Sequence, residues 1–113
     1  MAQATFVHDG DAIDYTPGAD VVPGDVVVQS DLIGVAKREI KANELGALAV
    51  TGVFDIAKQA GGGVTFAVGD LAYWDDTNKV AVTTDGAGAN KLLGKAVRAA
   101  ADADATVRVK LTP

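Results

Sequence analysis

The acidic residues of this chain are almost all aspartate, with thirteen Asp against only two Glu, at positions 39 and 44. Aspartate hydrogen-bonds its own backbone in turns and caps, whereas glutamate suits helix interiors. Glycine precedes several of these aspartates, as in the Gly-Asp pairs at 24–25 and 69–70. With β-branched runs between them, these turn signals predict an all-β chain with many tight turns.

The apolar runs between the turns predict nine strands. The clearest lies at 106–111, where Val107, Val109 and Leu111 alternate with polar residues, as in a strand buried on one face. The predicted strands cover residues 5–7, 12–16, 26–29, 32–40, 48–54, 71–74, 79–84, 92–99 and 106–111.

Residues 36–45 allow two interpretations. Their many helix-forming residues favour a helix with apolar positions at 36, 40 and 45. Gly34, Asn43 and Gly46 favour a strand followed by a turn equally well. The sequence alone leaves helix and strand open here.

The chain also contains two pairs of similar stretches. Residues 23–26 resemble 68–71, and residues 32–36 resemble 92–97. One interpretation is a pair of similar β units packed on one another, and the other is coincidence among common turn dipeptides. Residues 1–20 lie outside this similarity, so we expect an extended N-terminal arm there and a single β domain over 21–113.

Composition limits the chain to one domain and narrows its partners. The 113 residues are 49% apolar, mostly Ala and Val with six aromatic residues, so we expect a thin core supported by self-association. The net charge of −5 and the absence of a cluster of basic residues disfavour nucleic acid as a partner. No apolar run approaches the roughly 20 residues of a membrane span, so no membrane partner is expected. The N-terminus lacks the pattern of a signal peptide, which predicts a protein made in a cytoplasm.

Several acidic groups invite a metal-binding or catalytic interpretation. Residues 9–14 begin like a calcium loop, but Ile13 occupies a ligand position and no Glu closes the loop. Asp75 and Asp76 lie in a predicted hairpin turn, where two carboxylates share one environment, and 102–104 has the same weakness. His8 is the single histidine and there is no cysteine. We therefore predict no catalytic residue, no metal site and no cofactor.

The glycine triplet at 61–63 superficially resembles a phosphate-binding loop. In such a loop, a lysine after the glycines reaches the phosphates and a hydroxyl holds magnesium. Val64 stands where that lysine would be. The triplet therefore predicts a turn and no nucleotide site.

Short motifs in a fixed order carry a family resemblance along nearly the whole chain. They begin with residues 5–11 and 22–27, continue through 34–36, 52–58 and 69–75, and end with 93–97 and 104–111. In this order they resemble a family of phage proteins whose better-studied relatives are capsid decoration, or cement, proteins.

The resemblance implies a fold, an assembly and a site. The expected fold is a compact β-tulip or barrel-like domain, and the expected assembly is a homotrimer on the outer surface of the virion. The arm is expected to contact the major capsid protein, with Thr5, Phe6, Val7, His8 and Ile13 as contact residues. An arm of this kind can add a strand to the sheet edge of a neighbour.

We therefore expect a non-enzymatic structural protein that binds the outer capsid shell and stabilises the virion. The alternative is a soluble β-rich binding module or a recombination-associated phage protein, a label that members of the family often carry. The acidic charge and the incomplete phosphate loop argue against the recombination label.

Overall fold

The computed structural model describes residues 3–111, which form nine β-strands joined by turns and contain no helix. The strands are β1 (Ala12–Tyr15), β2 (Val26–Gln29), β3 (Leu32–Val35), β4 (Gly46–Ala49), β5 (Val53–Ala57), β6 (Leu71–Asp75), β7 (Val80–Val82), β8 (Lys91–Ala96) and β9 (Thr106–Leu111). The predicted all-β class is confirmed. Within this range there is also no long apolar helix that could cross a membrane.

The strands form two antiparallel sheets that share one strand order. The first sheet runs β1-β4-β3-β2, and the second runs β5-β9-β8-β6 with β7 added at its edge. We call residues 12–52 the first unit and residues 53–111 the second unit. The similar stretches in the sequence therefore correspond to two units of the same topology.

The turns that open β2 and β6 contain the same hydrogen bonds. In the first unit, the Val22 N–H donates to the Asp25 carboxylate and the Asp25 N–H donates to the Val22 carbonyl, both at 3.1 Å. Ala67 and Asp70 repeat these bonds in the second unit, at 2.8 and 3.1 Å. The glycine before each aspartate has φ of 93° or 94°, which costs other residues free energy. Each Gly-Asp pair therefore closes an equivalent turn.

The main core lies between the two sheets. Ile33 and Val35 of β3 are buried in one cluster with Trp74, Val107 and Val109 of the second unit. A smaller cluster covers the other face of the first sheet, and its buried members are Val21, Ala36, Ile40 and Leu48. The first sheet is thus apolar on both faces, and one of these faces holds the two units together.

Two glycines allow strands to approach closely. A Cβ atom at Gly94 of β8 would overlap the Lys110 carbonyl oxygen of β9. A Cβ atom at Gly34 of β3 would lie 2.8 Å from the Cβ atom of Leu48. Both positions therefore require glycine for packing.

The second sheet curls until its two edges nearly meet. A single parallel bridge joins Lys58, directly after β5, to Ala81 of β7. Because β7 has only three residues, no ladder continues from this bridge. The barrel implied by the family resemblance is therefore not closed, and the β-strands remain in two sheets.

Three of the predicted strands differ most from the structure, whereas those predicted over 12–16, 71–74, 79–84 and 92–99 differ only at their ends. Residues 5–7 form no strand, and the strand predicted over 32–40 ends at Val35, where the chain leaves the sheet. The strand predicted over 48–54 is divided between β4 and β5, which belong to different sheets. Gly52, with φ of 115°, lies in the short connection between them.

Residues 36–45 form neither a helix nor a regular strand. Ile40 makes an isolated bridge to Val21, and the Asn43 N–H donates to the Pro17 carbonyl at 2.8 Å. Asn43 has φ of 67°, which a helix does not allow. The segment is a loop that covers the smaller core cluster.

Candidate partner-binding surfaces

The N-terminal segment before β1 exposes large apolar side chains. Phe6 is 80% exposed and Val7 is 82% exposed, and Thr5 and His8 beside them are exposed too. No backbone hydrogen bond joins residues 3–10 to another described residue. Four of the five predicted contact residues therefore lie together on an unpaired segment.

Ile13, the fifth predicted contact residue, lies in β1 and serves the fold. It is half-buried against the smaller core cluster and is the register partner of Leu48. The Val50 N–H donates to the Asp11 carbonyl at 3.0 Å, so the attachment of the chain to the first sheet begins just before β1. The structure thus separates Ile13 from the exposed residues 5–8.

The glycine triplet wraps around a carboxylate of the chain itself. Gly61, Gly62 and Gly63 have φ values of 90°, 76° and 83°. The Asp102 carboxylate accepts a hydrogen bond from the Gly63 N–H at 2.6 Å, and the Asp102 carbonyl accepts one from the Gly61 N–H at 2.6 Å. Two of the amides that a bound phosphate would need are already engaged.

Lys58 is a buried residue whose hydrogen bonds connect the same loops. It is 4% exposed, and its Nζ donates to the carbonyl oxygens of Gln59 at 2.7 Å and Asp102 at 3.2 Å. Its backbone N–H donates to the Ala105 carbonyl at 2.8 Å. Lys58 therefore joins the loop after β5 to the loop before β9.

Asp75 and Asp76 stabilise the turn between β6 and β7. Asp75 accepts hydrogen bonds from the side-chain and backbone amides of Asn78 at 2.8 and 3.2 Å, and these bonds lower its pKa. Asp76 accepts bonds from Lys79 at 2.7 Å and from the Trp74 indole at 3.0 Å, which lower its pKa as well. A general acid would need a raised pKa, so this arrangement favours turn formation over proton transfer.

The remaining acidic residues are dispersed. Within residues 3–111, no group of three or more His, Asp or Glu side chains is close enough together to hold a metal ion. Asp11 lies in the segment 9–14, which begins like a calcium loop. Its carboxylate accepts a long hydrogen bond of 3.4 Å from the Thr51 hydroxyl.

The outer face of the second sheet contains a second candidate surface that the sequence interpretation missed. Lys95 and Lys110 are register partners there, with Leu71 next to Lys95 on β6. In the neighbouring row, Arg108 donates from Nε and Nη2 to Asp55 at 2.9 and 3.3 Å, and this lowers the pKa of Asp55. The alternation in 106–111 indicated which side of β9 faces outward, but only the register brings the two lysines together.

Comparison with known proteins identifies the family. The sequence matches the phage cement protein family over residues 7–111, a range that includes all nine strands. Neither the curated proteins nor the solved structures that were searched gave a match. A structural role on the virion also agrees with the geometry, because Asp75 and Asp76 stabilise a turn and because two amides of the glycine triplet donate to Asp102. The chain belongs to the phage cement protein family, whose members are structural proteins on the outer surface of the capsid.

Proposed function

We propose that this cement protein binds the major capsid protein through Thr5, Phe6, Val7 and His8, and that it acts as a homotrimer. The observation that carries the first part is the exposure of Phe6 and Val7, at 80% and 82%, on a segment with no strand partner. Ile13 has a different role in this proposal, because it anchors β1 and so fixes the point from which the segment extends.

The segment has the length and chemistry of a strand that pairs with a neighbour. Residues 3–11 span about 30 Å when fully extended. An extended segment that joins a sheet edge gains backbone hydrogen bonds, and its alternate side chains enter pockets. Phe6 and Val7 are consecutive and would face opposite sides of the added strand, and burial of either side chain would contribute roughly 1.5–3 kcal/mol. Through these contributions, the segment would hold the protein on the capsid shell.

Self-association supports the same role through multivalency. Each trimer would present three segments, so contacts of modest affinity combine into strong binding when their spacing matches the shell. The rest of the chain, residues 12–111, which we call the body, also exposes apolar side chains, including Val53 at 54% and Leu71 at 45%. A thin core with such surface residues is typical of a chain that gains stability from its assembly.

The direct test is co-sedimentation with undecorated capsids of the phage that encodes the protein. The Phe6→Ala/Val7→Ala variant should lose binding while its thermal unfolding stays that of the native protein. The Leu45→Ala/Val68→Ala variant removes comparably exposed side chains, at 71% and 69%, from other parts of the body and should bind like the native protein.

Two results would contradict the proposal. Native protein that stays in the supernatant would exclude capsid binding. Equal co-sedimentation of the native protein and the Phe6→Ala/Val7→Ala variant would show that the body alone binds the shell.

A further inference from the structure

Four exposed residues form one row across the outer face of the second sheet. The register places Val53, Lys110, Lys95 and Leu71 side by side on β5, β9, β8 and β6. Val53 is 54% exposed and Leu71 is 45% exposed, and neither lysine takes part in an ion pair within residues 3–111. Like charges directly opposite one another destabilise a sheet. The isolated fold therefore gains nothing from this pair of lysines.

The equivalent row of the first unit is buried at its centre. It consists of Ala12, Ala49, Val35 and Val26 on β1, β4, β3 and β2. Val35 is 4% exposed and Ala49 is 7% exposed. Val35 belongs to the main core, so this face of the first unit packs against the second unit. In the first unit, this face is covered by the second unit. In the second unit, the equivalent face is exposed to solvent.

The two units differ in charge as well. The first unit contains six acidic and three basic residues, the segment before it adds Asp9 and Asp11, and the second unit contains seven residues of each sign. The whole net charge of −5 therefore belongs to the first part of the chain. The ion pair between Lys91 and Asp31, at 2.9 Å, already joins a lysine of the second unit to an aspartate of the first.

We propose that the Val53–Lys110–Lys95–Leu71 row packs against the first unit of a second copy of this chain. The contact repeats the arrangement found within one chain, with apolar burial at Val53 and Leu71 and with carboxylates of the acidic first unit facing the two lysines. Two different surfaces meet in it, so it is head-to-tail and can close into a ring. The inference rests on the self-association in the proposed function and specifies its interface.

Sedimentation equilibrium of the full chain tests the interface. The Lys95→Glu/Lys110→Glu variant should need about tenfold higher protein concentration for half-association, because two attractive contacts become repulsive. The Lys37→Glu/Arg38→Glu variant is the matched control. Both variants take the net charge from −5 to −9, but the control makes the first unit more acidic, so it should associate at least as strongly as the native protein. Circular dichroism verifies that each variant is folded.

The outcomes separate this inference from the proposed function. Equal association of the native protein and the Lys95→Glu/Lys110→Glu variant would overturn the interface and leave capsid binding untouched. A native protein that is monomeric but still co-sediments with capsids would overturn self-association together with the interface. A Lys95→Glu/Lys110→Glu variant that associates normally but no longer binds capsids would assign the row to the shell instead.

Discussion

The side-chain nitrogen of Lys91 in β8 lies 2.9 Å from a carboxylate oxygen of Asp31, in the turn between β2 and β3. This ion pair joins the two units at the surface, beside the core that they share. The hydrogen bond from Lys91, and next its positive charge, lower the pKa of Asp31. As the pH falls, the unfolded chain therefore protonates Asp31 before the folded chain does.

We expect the stability of the protein to decrease in acid, in part because of Asp31. Its contribution is complete above the ordinary aspartate pKa of about 3.9 and is lost as the pH falls through the lower folded-state value. Thermal unfolding between about pH 7 and pH 2 should show the native protein and Asp31→Asn converging at the acid end. A constant difference between the two across this range would contradict a role for the charge.

The Gly94→Ala substitution should destabilise the protein through a clash within the sheet. The added Cβ atom meets the backbone of β9 at Lys110, which cannot move without breaking the ladder. We expect a loss of about 1–3 kcal/mol in the free energy of unfolding, measured in urea. Gly18→Ala is the control, since no atom lies within 4 Å of the added group. Equal stability of the two variants would show that β8 and β9 can separate at this point.

Substitutions of Lys58 distinguish its packing from its hydrogen bonds. Lys58→Ala removes a buried stem and leaves the carbonyl of Gln59 without its donor, so we expect a loss of roughly 2–4 kcal/mol. Lys58→Met keeps most of the apolar contact and should lose about 1–2 kcal/mol. The free energies of unfolding in urea provide the comparison. If methionine is as harmful as alanine, the ammonium group holds these loops.

The equivalence of the two units can be tested at their turns. Asp25→Ala and Asp70→Ala each remove one side-chain hydrogen bond to a backbone N–H, so each should cost about 0.5–1.5 kcal/mol. The losses should add in the double variant if the turns act independently. A large loss of stability at only one of the two turns would show that the units share a topology but that their equivalent turns contribute differently to stability.

The sequence predicted the fold best where local chemistry decides the structure. Residues 26–29 and 106–111 are strands with the predicted bounds, because in both a run rich in β-branched residues closely follows a turn. The Gly-Asp pairs also lie at the turns that they indicated. These signals extend over four to six residues and do not depend on the rest of the chain.

The sequence was less informative where distant contacts decide the structure. The apolar run at 48–54 is continuous, but tertiary packing assigns its two ends to different sheets through Gly52. The lysine row depends on the register of four strands, which no local pattern reveals. For the N-terminal segment, the exposed Phe6 and Val7 were identifiable from sequence, whereas the inward position of Ile13 follows from its pairing with Leu48.

The position of β9 has a consequence for the motions of the protein. This strand lies between β5 and β8 in the second sheet. Its pairing with β5 brings Val53 next to Lys110, so it connects the first and the last strand of the second unit. Its amide hydrogens are released only when long-range structure opens, so they should exchange with deuterated water most slowly. The amides of β1, an edge strand with one neighbour, should exchange far sooner. We therefore expect the part of the chain closest to the exposed N-terminal segment to open before the central strands of the second sheet.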